Sequence, residues 1–443
     1  MEKGTKEEVL DGDSHYNLRP WVAQKAQDPI AVSHAKGVFF WDYDGKRYFD
    51  MSSQLVNSNL GHGNKEINEA IKRQLDSFAY IAPAHAAYPR SELAKKLIEK
   101  AGANMAKVFF TCGGAESNDN AVLIARAFSG RHKIFSSYRS YHGSTIGAGN
   151  LSGDVRRFAA ERPSSGGFVK FLTPYIYREK IKFKNEHEIS KYYLELLREQ
   201  IIAEDAGNIA AITLEAVAGT NGVIIPPKGY LEGVRKLCDE FGILLHFDEV
   251  MGGFGRTGKL FAFENFNVTP DIITFAKGIT CGYVPLGGVI VSKEIADFYD
   301  NRPLLCGLTY NAHPLSCAAG IAALDYYYDR HIFTHVRKLG KVLKQTLLSF
   351  EKKHKIVGNV RSIGLFAAIE LVADRYAKQS LSGKIPNIIN LLRQKGFATI
   401  GRGSNIIIAP PLVISQKELL EALEILDETL YIADDKYTKP RRS

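Results

Sequence analysis

Two ionisable side chains that follow short apolar segments are the residues of this 443-residue chain best suited to chemistry. Asp248 follows the segment 243–247, and Lys277 comes just after the segment 271–275. Both segments predict buried strands, and open α/β sheets bind ligands at the carboxyl ends of their strands. Burial disfavours the charged form of a lysine, so Lys277 is predicted to offer a nucleophilic amine that can form an imine. If each residue is considered alone, the alternative interpretation is that Lys277 lies at the surface and that Asp248 merely begins a turn.

A glycine-rich turn supplies a candidate anion site. Gly113 and Gly114 lie between a predicted strand, 107–111, and a predicted helix, 115–128. Small residues let backbone amides approach an anion, and the N-terminus of a helix adds a partial positive charge of about half an elementary unit. The turn is therefore predicted to bind a phosphate group. A tight turn that binds nothing is the alternative.

The elements that would position these residues follow two patterns. From about residue 90 to residue 330, predicted helices alternate with apolar strands, as in a sheet with helices on both faces. Before this region lie a polar arm, a predicted β-hairpin over 38–50 with an Asp-Gly turn and an amphipathic helix over 65–77. After it, helices alternate with short strands at 366–371 and 406–409. We predict an N-terminal arm and part of a small domain over 1–75, a large domain over 76–330 and a C-terminal small domain over 331–443.

Composition narrows the class of protein. The net charge is +9, but the basic residues are dispersed except at the end of the chain, so no basic face for nucleic acid is predicted. Five cysteines without a CxxC spacing indicate neither a disulfide framework nor a zinc site, and no metal is expected. No apolar run of about 18 residues and no signal peptide can be recognised. These features predict a cytoplasmic protein that does not associate with membranes.

The two segments that carry Asp248 and Lys277 resemble a family signature. FDEVMGGFGRTG (247–258) and PDIITFAKGITCG (270–282) are similar to the signature of the class III aminotransferases, which depend on pyridoxal 5'-phosphate (PLP). These enzymes form the ω-aminotransferase branch of fold type I. The resemblance implies an α/β large domain that binds PLP, with a mostly parallel mixed sheet flanked by helices. It also implies a small α+β domain built from the N- and C-terminal segments.

The resemblance assigns two residues to catalysis. Lys277 corresponds to the lysine that forms a Schiff base with PLP, and Asp248 to the carboxylate that favours the protonated pyridine nitrogen. Other residues are implied to bind the cofactor because they match further family motifs, although Ala115 replaces a hydroxyl residue and Ala216 replaces the proline after Glu215. These cofactor residues are Gly114, Ala115, Tyr141, His142, Glu215, Val250 and Thr309. In the family the threonine reaches the phosphate of the neighbouring subunit, which implies a homodimer, or a dimer of dimers, with shared active sites.

The substrate is implied less directly. Family members that act on γ-aminobutyrate or acetylornithine usually carry arginine after the HG pair, where this chain has Ser144. That difference indicates transfer of an amino group from an ω-amino acid or amine, such as a taurine-like or β-alanine-like donor, to pyruvate. Tentative substrate residues are Leu55, Val56 and Ala82, which stand where relatives often have aromatic residues. Arg402 would bind the carboxylate of the acceptor.

Four alternatives can be weighed against this interpretation. An aminomutase or decarboxylase on the same fold would share Lys277 and Asp248, and a class III aminotransferase could use 2-oxoglutarate instead of pyruvate. A dinucleotide-dependent oxidoreductase has no support, because no GxGxxG motif follows the first strand of the large domain. A PLP-binding protein without activity would lack the lysine, which is present here.

Overall fold

The computed structural model describes residues 4–26, 28–161 and 166–438. The strands in chain order are β1 Val32–Lys36, β2 Phe39–Asp42, β3 Arg47–Asp50, β4 Met105–Thr111, β5 Lys133–Ser137, β6 Phe168–Phe171, β7 Ile209–Leu214, β8 Leu244–Asp248, β9 Ile272–Phe275, β10 Gly287–Ser292, β11 Val357–Ile363, β12 Phe366–Asp374, β13 Gln379–Ser380, β14 Phe397–Ala398, β15 Ile400–Arg402 and β16 Asn405–Ile408. The helices are α1 Lys6–Tyr16, α2 Ser53–Val56, α3 Lys65–Ser77, α4 Tyr88–Ala101, α5 Gly114–Ser129, α6 Ile146–Leu151, α7 Phe158–Glu161, α8 Glu186–Ala203, α9 Tyr230–Phe241, α10 Lys293–Phe298, α11 Pro314–Asp329, α12 Ile332–Lys353, α13 Ile385–Gln394 and α14 Gln416–Tyr437.

A seven-stranded sheet forms the centre of the molecule, in the order β4-β10-β9-β8-β7-β5-β6. Strand β10 is antiparallel to both of its neighbours, whereas β9, β8, β7, β5 and β6 pair in parallel. Every residue of β7, β9 and β10 is buried, as expected for strands covered on both faces. The predicted mostly parallel mixed sheet is confirmed. Because β8 and β9 pair in parallel, their carboxyl ends lie at one edge, with Asp248 opposite Thr274.

Two smaller sheets combine the two ends of the chain. The order β1-β2-β3-β14 joins the predicted N-terminal hairpin to the C-terminal segment, because β14 pairs in parallel with β3. The other sheet has the order β11-β12-β16-β15, with β13 attached to β12. The pairing expected between the hairpin and the C-terminal region is therefore present. The domain boundaries at residues 75 and 330 stay predictions.

The N-terminal arm contains more structure than the sequence predicted. Helix α1 begins with a capping box, in which the Thr5 hydroxyl accepts the Glu8 amide at 3.2 Å and the Glu8 carboxylate accepts the Thr5 amide at 2.7 Å. None of its residues is buried, so the helix has no apolar stripe that could have revealed it. The sequence analysis described this segment only as a polar arm and predicted no helix in it.

Helix α14 is attached to the end of α12 through a buried histidine. His354 Nδ1 lies 3.0 Å from Asp434 Oδ2, and its Nε2 lies 2.6 Å from Asp427 Oδ1. Burial alone would lower the pKa of His354, but the hydrogen bonds to the two carboxylates outweigh burial and raise this pKa. The imidazole is therefore held as a charged donor at both nitrogens.

Neither a membrane-spanning helix nor a metal-binding group of side chains is found within the described ranges. In residues 4–26, 28–161 and 166–438, no helix has the length and apolarity needed to cross a membrane. The same ranges contain no group of three or more His, Cys, Asp or Glu side chains that could hold a metal ion. The cysteines there, Cys112, Cys238, Cys281, Cys306 and Cys317, are all free thiols.

Candidate active site

A cavity of ≈ 420 Å³ lies at the carboxyl edge of the central sheet. It brings together most of the residues that the sequence singled out. Those that line it are Leu55, Gly114, Ala115, Tyr141, His142, Glu215, Asp248, Val250, Lys277 and Arg402. Ser144, the residue in place of the family's arginine, also lines it.

Asp248 ends β8 and is held by three donors. Its Oδ2 accepts hydrogen bonds from His142 Nδ1 at 2.7 Å and from Asn118 Nδ2 at 2.8 Å, and its Oδ1 accepts the Val250 amide at 2.9 Å. Burial alone would raise the pKa of Asp248, but the hydrogen bond from His142 and the Val250 amide hold it below its usual value. The carboxylate is therefore ionised and fixed in orientation, as a partner for a cationic nitrogen must be.

Lys277 lies just beyond β9, across the cavity edge from Asp248. Burial lowers the pKa of its ammonium group, although the charges of Asp248 and Glu215 oppose this change. Its backbone has a φ of 48°, in the left-handed region that lysine rarely adopts. Within the described ranges, the amine has no hydrogen-bond partner. These properties suit an amine that must act as a nucleophile.

The glycine-rich turn leads into the N-terminus of α5, which begins at Gly114. The helix is capped by Gly113, and no side chain occupies the cap. A Cβ atom at Gly113 would meet nothing within 4 Å, whereas one at Gly114 would lie 2.9 Å from Val250 Cγ1. Gly114 is thus required for close contact with the cavity wall, while the first amides of α5 face space that an anion can fill.

Glu215 follows β7 and points into the cavity, although the residue after it is not proline. Its Oε1 accepts the Tyr141 amide at 3.2 Å, and its Oε2 accepts the Gly219 amide at 2.8 Å. Burial raises the pKa of Glu215 to about 7, because the opposing effects of His142 and the two amides do not cancel it. The backbone amides thus supply the orientation that the missing proline was expected to give.

Two guanidinium groups share one side of the cavity, and the sequence indicated only one of them. Arg156 lies over the Tyr141 ring at 3.4 Å from its centroid, and its Nε is 3.0 Å from both carboxylate oxygens of Asp154. Arg402 is half-buried, and its buried Nε has no hydrogen-bond partner among the described residues. Burial, and then the charge of Arg156, lower the pKa of Arg402. An anion beside these two groups would offset both effects.

Three predicted residues do not reach the cavity of their own chain. Val56 is 1% exposed and points into the core, although its neighbour Leu55 is 51% exposed and lines the cavity. Ala82 lies on the surface, where its carbonyl oxygen accepts a hydrogen bond from Arg90 at 3.0 Å. Thr309 is exposed as well. The structure thus gives Val56, Ala82 and Thr309 no contact with a ligand in the cavity of their own chain.

Asn118, Arg156 and Trp21 are among the residues of the site that the sequence analysis missed. Asn118 was recognisable in principle, because it lies one helical turn beyond Gly114 on α5. Arg156 and Trp21 line the cavity from segments without any motif, and Arg156 lies 6.0 Å from the Trp21 ring centroid. Only the tertiary structure brings them to the cavity.

Comparison with known proteins places this fold and site among the fold type I enzymes that depend on PLP. A solved structure of taurine:2-oxoglutarate aminotransferase from Bifidobacterium kashiwanohense, in complex with PLP and glutamate, is 49% identical with a TM-score of 0.96, over 99% of this chain and 100% of that one. An (S)-enantioselective ω-transaminase from Thermomicrobium roseum is 34% identical with a TM-score of 0.92, over 99% and 100%. A taurine–pyruvate aminotransferase from Bilophila wadsworthia is 29% identical over 98% of this chain and 99% of its own.

The model of the class III aminotransferases matches residues 22–430. The chain belongs to this family and is a PLP-dependent aminotransferase. The residues present fit the cofactor: the cradle at Gly113 has room for an anion, Asp248 is ionised, and Lys277 is a buried amine. The cavity is also within the usual size range of small-molecule sites.

Proposed function

We propose that PLP binds in this cavity, with its phosphate at the start of α5, its pyridine nitrogen at Asp248 and a covalent bond to Lys277. When bound, PLP supplies the electron sink that stabilises the carbanion left by loss of a substrate proton. Asp248 keeps the nitrogen protonated because its carboxylate is ionised and fixed. Lys277, with its lowered pKa, accepts and returns the proton.

The walls of the cavity would orient the ring. Val250, whose amide donates to Asp248, would cover one face of the ring. Arg156 lies over one face of the Tyr141 ring, and the opposite face of Tyr141 would cover the other side of the cofactor ring. Glu215 fixes the Tyr141 backbone by accepting its amide. His142 acts on Asp248, to which it donates from Nδ1.

We propose that the enzyme is at least a homodimer with shared sites. Exposed apolar side chains cluster in the segments 75–88 and 305–310, among them Leu75, Tyr88, Leu305 and Tyr310. Thr309 lies within this surface, and its carbonyl oxygen accepts a hydrogen bond from Tyr80 at 2.8 Å. A second copy that covers this surface would place Thr309 near the partner's phosphate.

The substrates that fit best carry an anionic group at the end far from the reacting amine or keto group. The pyruvate prediction rested on Ser144, which stands in place of an arginine that would hold a second carboxylate, whereas the structure places both Arg156 and Arg402 in the cavity. Arg402 would bind the α-carboxylate of the acceptor. Arg156 would bind a distal anion, such as the sulfonate of a taurine-like donor or the second carboxylate of 2-oxoglutarate. We therefore propose a taurine-like ω-amino acid as donor and 2-oxoglutarate as the preferred acceptor, with pyruvate as the competing acceptor.

The pair of guanidinium groups beside Lys277 carries this proposal, and a matrix of substrates tests it. Taurine, β-alanine, γ-aminobutyrate and a simple amine are each combined with 2-oxoglutarate and with pyruvate, and glutamate or alanine is quantified. We expect taurine with 2-oxoglutarate to give the highest kcat/KM. Faster transfer to pyruvate would contradict the acceptor assignment, and conversion of donors without any acceptor would indicate a decarboxylase or aminomutase.

A further inference from the structure

A chain of buried polar side chains leads from the middle of the central sheet to Asp248. It consists of Thr213 on β7, His246 on β8, Thr274 on β9 and Asn118 on α5, each at most 1% exposed. None of the four lines the cavity. Polar groups buried this deeply in an apolar sheet need every hydrogen bond they can form, so their arrangement is well determined.

The orientation of the Asn118 amide is fixed by its neighbours. Its nitrogen lies 2.8 Å from Asp248 Oδ2 and 2.7 Å from the carbonyl oxygen of His142. Neither of these oxygens can donate, so the nitrogen must face them and the Asn118 oxygen must face Thr274, at 2.7 Å. The Thr274 hydroxyl therefore donates its single proton to Asn118.

The positions of the protons on His246 and Thr213 follow from the position of the Thr274 proton. Since the Thr274 hydroxyl has given its proton to Asn118, it can only accept from His246 Nε2, which lies 3.0 Å away. His246 Nδ1 is then unprotonated and accepts from the Thr213 hydroxyl, at 3.1 Å. Burial lowers the pKa of His246 to about 3, which keeps the ring neutral with one donor and one acceptor. All the hydrogen bonds of this chain of side chains therefore donate in the same direction, from Thr213 towards Asp248.

We propose that His246 is a positioning residue for Asp248, acting through the Thr274 hydroxyl and the Asn118 amide to hold the carboxylate in the orientation that the cofactor requires. The inference rests on the role proposed for Asp248. Loss of one link would leave the buried Asn118 oxygen without the hydrogen bond from Thr274. The hold of Asn118 on Asp248, one of the two side-chain donors of that carboxylate, would weaken. The chemical step should slow while substrate binding is unchanged, because no link touches the substrate.

The first test is the protonation of His246 in the wild-type holoenzyme. Histidine is labelled with ¹⁵N, and the ring signals of His246 are assigned by their absence in His246→Gln. We expect protonated Nε2 and unprotonated Nδ1 from about pH 5 to pH 8. A proton on Nδ1, or on both nitrogens, would overturn the inference whatever reaction the enzyme catalyses. Failure of the substrate matrix with this tautomer intact would instead refute the proposed substrates.

The second test uses matched threonine variants. Thr274→Val removes the hydroxyl but keeps the shape, and Thr274→Ser restores the hydroxyl. Thr429→Val removes a buried hydroxyl of α14 that donates to the Ile425 carbonyl, outside this network. Thr274→Val should lower kcat about 5- to 100-fold, with KM unchanged and cofactor affinity reduced. Thr274→Ser should restore both quantities. If Thr274→Val lowers only the melting temperature, as expected for Thr429→Val, the link has no positioning role.

Discussion

Replacement of Arg156 by glutamine should lower kcat/KM for substrates that carry an anion far from the reacting group, and much less for substrates that lack one. The side chain is 15% exposed and is held over the Tyr141 ring, so little reorganisation is needed for it to meet an anion. A hydrogen bond to a charged group contributes roughly 1.5–3 kcal/mol, and about 1.4 kcal/mol corresponds to a tenfold change. We expect kcat/KM for taurine and for 2-oxoglutarate to fall roughly 10- to 100-fold in Arg156→Gln. The lower part of this range is favoured because Asp154 already compensates part of the charge.

The assay compares four substrates with one control variant. Initial rates are measured for taurine and a simple amine as donors, and for 2-oxoglutarate and pyruvate as acceptors. Pyruvate and the simple amine lack the distal anion, so their kcat/KM should change less than about threefold. Arg157→Gln is the matched control, since the neighbouring arginine pairs with Glu161 and does not line the cavity. PLP affinity is measured in both variants, because Arg156 also packs against Tyr141.

Two results would refute this reasoning. An equal loss of kcat/KM for all four substrates would mean that Arg156 supports Tyr141 and the cofactor and does not bind the distal anion of the substrate. Unchanged kinetics with taurine and 2-oxoglutarate would mean that another group binds the distal anion. In the second case Arg402→Ala, expected to raise KM for both acceptors, would show whether that arginine binds both ends of the substrate.

The remaining predictions concern the cofactor, the dimer and stability. Lys277→Ala should show no gain in mass after treatment with PLP and borohydride, whereas the wild type gains the reduced cofactor; modification of the variant would remove this lysine from its role. Asp248→Asn should retain PLP but lose roughly 100- to 1,000-fold in kcat, because an amide does not favour a protonated pyridine; near-normal turnover would argue against an electron sink at this site. A mixture of Lys277→Ala and Thr309→Ala subunits should regain roughly a quarter of wild-type activity if the sites are shared, and no recovery despite subunit exchange would count against sharing. Because the pKa of His354 is raised, its contribution to stability is complete below about pH 6.5 and is lost as the pH rises through its folded-state pKa. The melting temperature of the wild type should therefore fall over that interval, and His354→Gln should remove this dependence on pH.

The sequence predicted the central sheet and the two principal residues because both depend on local patterns. A continuous apolar segment is buried wherever it lies in such a sheet, and a charged residue at its end must face the sheet edge. Asp248 and Lys277 satisfy this rule, and the parallel pairing of β8 with β9 then brings them together.

What the sequence could not predict depends on contacts between distant segments. Arg156 enters the cavity because a short turn packs it on Tyr141, and nothing in its neighbourhood marks it. Val56 was expected beside Leu55, but the backbone there is kinked, with Gln54 at φ 58° and ψ −96°, so the two side chains point in different directions. Assigning a residue to the pocket because relatives have a pocket residue at the same position cannot reveal such a kink.

The parallel pair of β3 with β14 affects how the protein is made. Phe49 finds its partner, Phe397, only after nearly the whole chain has been synthesised. At 5–20 residues per second the hairpin waits roughly 20–70 s, with the edge of β3 unpaired and able to associate with other strands. We therefore expect the central sheet to fold first, while the ribosome is still at work, and the small sheet to close last. Truncation before residue 397 should then leave a chain that aggregates through this edge even though its central sheet is complete.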